Sequence, residues 1–202
     1  MKKPKKLVVF VEFIYVLVKC SVCFWGWLVK EGVIYGWVRA QRKLLLCVDQ
    51  PEALQEKLRT LTKSVEPEKL WGKTLSASLF LAFALFGSGF WLASTQLGLF
   101  LMVVGSLFSV FFLIFITNYI LSAPSQADEI SVETNYRILR QTVRPNLWNL
   151  FIGFTYLFWL LLLPISPLLF FFVAPGGVAY LLKKGQQKYY EMKGKPYDYR
   201  QS

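Results

Sequence analysis

The chain contains no histidine. That absence removes the commonest general base, the usual serine and cysteine triads, and most zinc sites. Charge is scarce as well. Asp, Glu, Lys and Arg make up 17% of the 202 residues, against about 25% in a soluble domain. Acids are the rarer sign, 12 against 23 bases, and Glu12 is the only acid inside any long apolar block. Proton-coupled transporters and intramembrane hydrolases usually need more. There are three cysteines. Cys20 and Cys23 form a lone CxxC, and Cys47 completes neither a four-ligand zinc set nor a disulfide framework. The expectation is reduced thiols that pack, with reversible acylation as the alternative. No linker rich in Ser, Gly or Pro divides the chain, so residues 1–202 read as a single membrane domain. No catalytic residue, metal or cofactor is assigned.

Much of the rest is apolar: 55% hydrophobic and 17% aromatic. The charges are segregated into short stretches between apolar runs of roughly 20 residues, which is the membrane class. The net charge of +11 then reads as positive-inside bias and attraction to anionic headgroups. No nucleic-acid-reading motif accompanies it, so nucleic acid is not an expected partner. The start resembles a signal peptide, but no small-x-small cleavage site follows. Lys19 precedes Cys20 where a lipoprotein signal wants a small residue, so the segment reads as retained.

Block one is Leu7–Val29, block two Thr74–Ser94 and block three Leu97–Leu121. Only Thr95 and Gln96 separate the last two, which predicts a transmembrane hairpin over 74–121 with an uncharged turn. Trp71 and Trp91, about 30 Å apart along a helix, place one indole near each interface. Residues 147–182 carry no charge before Lys183. One helix of that length would be about 54 Å long, nearly twice the hydrocarbon core. Pro164 and Pro167 are expected to break it, because proline removes a donor and restricts its predecessor. The result is a second hairpin, short and either tight or re-entrant, with Pro175 interrupting its return leg. With two hairpins, all eighteen Lys and Arg downstream of Val29 lie on one side, and that side is cytoplasmic.

The region 7–48 is expected to be an interfacial or membrane-embedded helical region, with Glu12, Tyr15, Lys19, Cys23, Gly26 and Lys30 as a polar seam. Glu12 and Lys19 are its candidate ionisable pair, read either as a buried partner contact or as a wet interfacial seam. Tyr35 and Trp37 suit the headgroup zone, and Arg39, Arg42 and Lys43 are candidate contacts to anionic lipid. Lys183, Lys184 and Lys188 in the basic tail 183–202 are further candidates. The loop 49–73 predicts a short cytoplasmic helix capped by Asp49, with Pro51 in its first turn. The loop 122–146 predicts another, docked by Ile130, Ile138 and Leu139. Gly98, Gly105 and Ser109 are candidate helix-packing positions, with Ala77, Ala84 and Ser88 a less regular set on block two. Thr117 and Asn118 are placed to bond across helices. Pro175-Gly176-Gly177 is read as a kink, with a backbone ion site as the lesser alternative.

The fold class expected is therefore all-α integral membrane: two transmembrane hairpins, an N-terminal embedded helix and short cytoplasmic helices. The function expected is a non-enzymatic structural or assembly subunit of a larger membrane complex. Its partners are anionic lipids and other membrane subunits, and a homo-oligomer is an alternative assembly. A membrane-shaping protein is the second reading, a transporter or channel component the third, and a lipid-acting enzyme the last. The bacterial inner membrane is the expected location, an organelle membrane the alternative.

Overall fold

The computed structural model describes residues 6–49, 70–122, 132–144 and 146–192. The described residues are helical throughout, without strands. Eight helices follow in chain order: α1 (Lys6–Lys30), α2 (Trp37–Asp49), α3 (Leu70–Trp91), α4 (Gln96–Ser122), α5 (Val132–Val143), α6 (Leu147–Ile165), α7 (Pro167–Phe172) and α8 (Ala174–Met192). Three of them, α1, α3 and α4, are long and apolar enough to cross a membrane. These are the length and composition of a multi-pass membrane protein.

The α3–α4 pair follows from small residues and one cap. After Trp91 the chain turns over Leu92–Thr95. Thr95 then starts α4, its Oγ1 accepting the Gly98 N–H at 3.0 Å, as an N-cap threonine does. The turn thus lies slightly earlier than the expected Thr95-Gln96. α3 and α4 pack together along their length because glycines remove side chains where the backbones meet. A Cβ on Gly105 would lie 2.5 Å from the Phe86 backbone nitrogen, and one on Gly89 at 2.5 Å from that of Met102. Membrane helices gain little from apolar burial against one another, so such close approach carries their packing. Gly98, Gly105 and Ser109 are all buried. On α3 the buried small positions are Gly72, Ser76, Ala82 and Gly89, whereas Ala84 and Ser88 are exposed.

α2 lies at the centre, against α1, α3, α4 and α8. α1 turns into it through residues 31–36, where Gly32 takes a φ of +82° that a side chain would disfavour. Val38, Ala40, Leu44, Leu45 and Cys47 are all buried, and Trp37 packs among Phe24, Phe83 and Trp159. The sequence puts this stretch at the headgroups. Its apolar face packs against other helices, in a slot left by α1, α3, α4 and α8. Asp49 is the last residue of α2. The loop helix expected beyond it lies outside the described residues, as do Ile130 and positions 193–202.

The apolar run 147–182 is broken between Pro164 and Pro167, with the helix ends placed differently in detail. α6 continues through Pro164 to Ile165. The break falls at Ser166, which caps α7 through Oγ, with Pro167 as its first residue. A second break falls at Val173, and Pro175 lies in the first turn of α8 rather than interrupting a helix. Proline suits that place, where its missing N–H has no intrahelical partner to lose. α7 and α8 then run back along α6, with Trp159 stacked on Phe170 of α7, and Phe151 against Gly185 and Trp148 against Tyr189 of α8. α5 meets α6 at 77° and docks on α4. Its Ile138 is fully buried while Leu139 is exposed.

Candidate functional site

The functional groups of this chain gather where α1, α2, α4, α6 and α8 meet, and the local sequence explains why bonds from other helices are needed there. A helix begins with orphan N–H groups that a capping side chain normally takes. The residue before α8 is Val173, which has no acceptor on its side chain. Ser21 of α1 supplies one: its Oγ accepts the Gly176 N–H at 2.9 Å and donates to the Leu17 carbonyl at 2.9 Å. On the other side of the same break, Trp25 Nε1 donates to the Phe171 carbonyl at 2.8 Å. Ser21 and Trp25 are one helical turn apart, so a single face of α1 serves both ends of the interruption. The contact is close, since a Cβ on Gly176 would lie 2.5 Å from the Leu17 carbonyl oxygen. The residue before α2 is Gly36, which also cannot cap. Ser76 of α3 accepts the Val38 N–H at 3.1 Å and donates to Gly72.

Two buried polar clusters sit below these caps. In the first, Gln41 Nε2 donates to Tyr156 Oη and, at 3.3 Å, to Thr117 Oγ1. Thr117 and Tyr156 share a further bond of 3.0 Å. One residue each from α2, α4 and α6 is thereby joined. In the second, Asn118 accepts from Trp148 Nε1 and donates to Asn149 Oδ1, both at 3.0 Å, and to Thr142 Oγ1 at 3.3 Å. Asn149 Nδ2 reaches the carbonyls of Gln141, Thr142 and Arg144, and Asn146 caps α6 through the Asn149 N–H. Thr117 and Asn118 thus make the cross-helix bonds their position predicts. Their partners Gln41, Tyr156 and Asn149 are not singled out by the sequence. The Asn146–Asn149 spacing ahead of an apolar run is a readable N-cap signal, whereas Gln41 and Tyr156 carry none.

The charged residues divide by position. Glu31, just past α1, holds Arg39 and Lys43 of α2 together, the Lys43 bond being 3.0 Å. Burial alone pushes the Glu31 carboxyl up, but the hydrogen bonds from Lys43 and Arg39 outweigh it and hold the group below its ordinary value. Lys43 is buried and lies over the Trp27 ring, and Arg42 lies over the Tyr119 ring. Two of the three α2 bases assigned to lipid are therefore engaged by an internal carboxylate. On α8, Lys183 is buried while Lys184 and Lys188 are exposed. On α1, Glu12 is exposed and Lys19 half-buried. Cys20 and Cys47 are buried in the core and Cys23 is half-buried. Burial pushes the Cys47 thiol up to about 12, which makes it inert.

Chemically, this arrangement orders helices. Among the described residues no group of three His, Cys, Asp or Glu could hold a metal. The Trp37 and Trp159 indole N–H groups and Gln41 Oε1 have no hydrogen-bond partner among the described residues. The cavity beside them is about 20 Å³, room for one water and no substrate. Comparison with known proteins finds no matching family model, no similar curated protein and no similar solved structure.

Proposed function

We propose that this protein is a non-catalytic scaffold subunit of a larger membrane assembly, docked to its partners through the first half of α1. The observation that carries this reading is the state of that half-helix. From Leu7 to Tyr15 every residue is exposed, Leu7 at 71% and Tyr15 at 61%, and the stretch holds Glu12. The second half of the same helix is anchored by Ser21, Trp25 and Leu28. A carboxylate on an apolar helix is costly against lipid and is stabilised by a basic or hydrogen-bonding partner. The buried polar groups further in are spent on helix-to-helix bonds, in keeping with a scaffold rather than a reaction centre.

In this reading α3–α4 is a transmembrane hairpin and α6 with α7–α8 a second, broken one. Their charged ends lie on the cytoplasmic side, in a bacterial inner membrane. The exposed bases Lys184 and Lys188 face anionic headgroups there. The discontinuous return leg at Val173 also favours a second reading, a membrane-shaping wedge.

The test is purification of the tagged full chain in mild detergent with intact-complex mass measurement, combined with photocrosslinking from positions 11 and 15. Stoichiometric partners crosslinked at both positions, and lost in Glu12→Lys, are the expected result. A lone monomer that crosslinks only to lipid would refute the subunit reading. Tubulation of liposomes by that monomer would establish the wedge.

A further inference from the structure

We infer that the cleft between α4 and α6 is a binding site for one anionic glycerophospholipid, with an acyl chain between the helices and the headgroup phosphate at Arg144. The cleft has a volume of about 350 Å³ and is open to its surroundings. Its walls are apolar, among them Ile114 of α4 and Gly153, Phe154 and Leu157 of α6. Its polar lining residues, Thr142, Arg144, Asn146 and Asn149, all come from the end of α5, the turn after it and the start of α6, which makes that end its polar rim. Gly153 creates the space: a Cβ there would find only Ile114 Cδ1, at 3.7 Å.

The order of chemistry along the cleft matches a lipid. Asn146 starts α6, so the rim lies at the helix end, and Gly153 and Leu157 stand about 10 and 16 Å further along the axis. That puts a cation and an amide where a phosphate sits and apolar walls where a chain continues. Arg144 is exposed, and its planar fork suits phosphate oxygens. Asn146 Oδ1 is taken by the α6 cap, while its Nδ2 makes only a 3.5 Å contact to the Gln141 carbonyl, leaving an N–H to offer. The positive end of α6 adds to the same field. A partner helix is the poorer occupant. At about 10 Å across, it needs several times this volume over the same length.

The experiment is native mass spectrometry of the full chain, delipidated in detergent and titrated with phosphatidylglycerol or with phosphatidylcholine of the same chains. The expected wild-type result is one retained lipid, with phosphatidylglycerol preferred about fivefold, as one base near a phosphate supplies. Arg144→Gln should abolish the preference. Gly153→Leu should abolish retention of either lipid, and Gly153→Ala should weaken it. Arg137→Gln, an exposed base on α5 outside the cleft, should match wild type. The inference is overturned if the preference survives Arg144→Gln, if Arg137→Gln removes it equally, or if folded Gly153→Leu retains lipid undiminished. A polypeptide crosslinked into the cleft in place of lipid would overturn it too.

Discussion

Replacing Ser21 with alanine removes the one side-chain acceptor that the described residues give to the first turn of α8. The serine hydroxyl makes two bonds, and they are unequal in value. The Leu17 carbonyl lies within α1 and can still accept from its own helix, so losing that donor costs little. The Gly176 N–H lies at a helix start, where no backbone carbonyl replaces the Oγ at 2.9 Å. An N-cap serine changed to alanine costs about 1 kcal/mol, and a buried unsatisfied N–H about 1–3 kcal/mol. Cross-helix bonds in membranes average nearer 0.6 kcal/mol. The combination gives about 1–2 kcal/mol, applied locally at the α7–α8 junction. Hydrogen–deuterium exchange on the detergent-solubilised protein reads this directly. Amides around 174–178 should exchange about 5–30 times faster in Ser21→Ala, while those of α3 and α4 stay as in wild type. Trp25→Phe should open the same junction by a smaller factor, because the ring contacts with Phe170 and Phe171 survive. Ser88→Ala, which loses only a surface bond to Leu85, should change nothing. Unaltered exchange at 174–178 in Ser21→Ala, or equal loosening of every helix, would sink the idea that α1 caps the break.

Three further outcomes are expected. Asn118→Leu strands the Trp148 indole, Thr142 and the Asn149 carbonyl together and should lower stability by about 2–3 kcal/mol, read as a drop in melting temperature. Thr142→Val in that background should cost almost nothing more. Gly105→Leu drives a side chain into the Phe86 backbone and should destabilise by about 1–3 kcal/mol; cysteine pairs across α3 and α4 should then crosslink more slowly. Glu31 has its carboxyl held below the ordinary value of 4.5. Its contribution is therefore complete above pH 4.5 and is lost as pH falls through the depressed value. Melting curves across pH 3–7 should show that acid limb in wild type and a flattened one in Glu31→Gln.

The lengths, the breaks and the class of this protein come from local pattern. Apolar runs as long as a bilayer is thick specify helices whatever surrounds them, and glycines at 98 and 105 mark a close helix pair by their spacing. Pro167, expected as a break, stands at one, as the first residue of α7 behind the Ser166 cap. Pro164 and Pro175 each stand two residues from a break, Pro164 before Ser166 and Pro175 after Val173. The first turn of α8 tolerates proline because N–H groups there have no intrahelical partner, and after Pro164 only one residue of α6 remains. α2 is less fully legible. Its amphipathic sequence satisfies an interface and a protein interior equally well, since both offer one apolar and one polar side. Only the slot left by α1, α3, α4 and α8 shows what its apolar face packs against, and there Arg39 and Lys43 meet Glu31. The caps make the same point. Nothing near Gly36 or Val173 in the chain tells where their helices find acceptors, because those acceptors, Ser76 and Ser21, come from 40 and 152 positions away. Period and length are properties of neighbours in the chain and can be read there. Satisfaction of a broken backbone is a property of neighbours in space, and tertiary packing alone decided it.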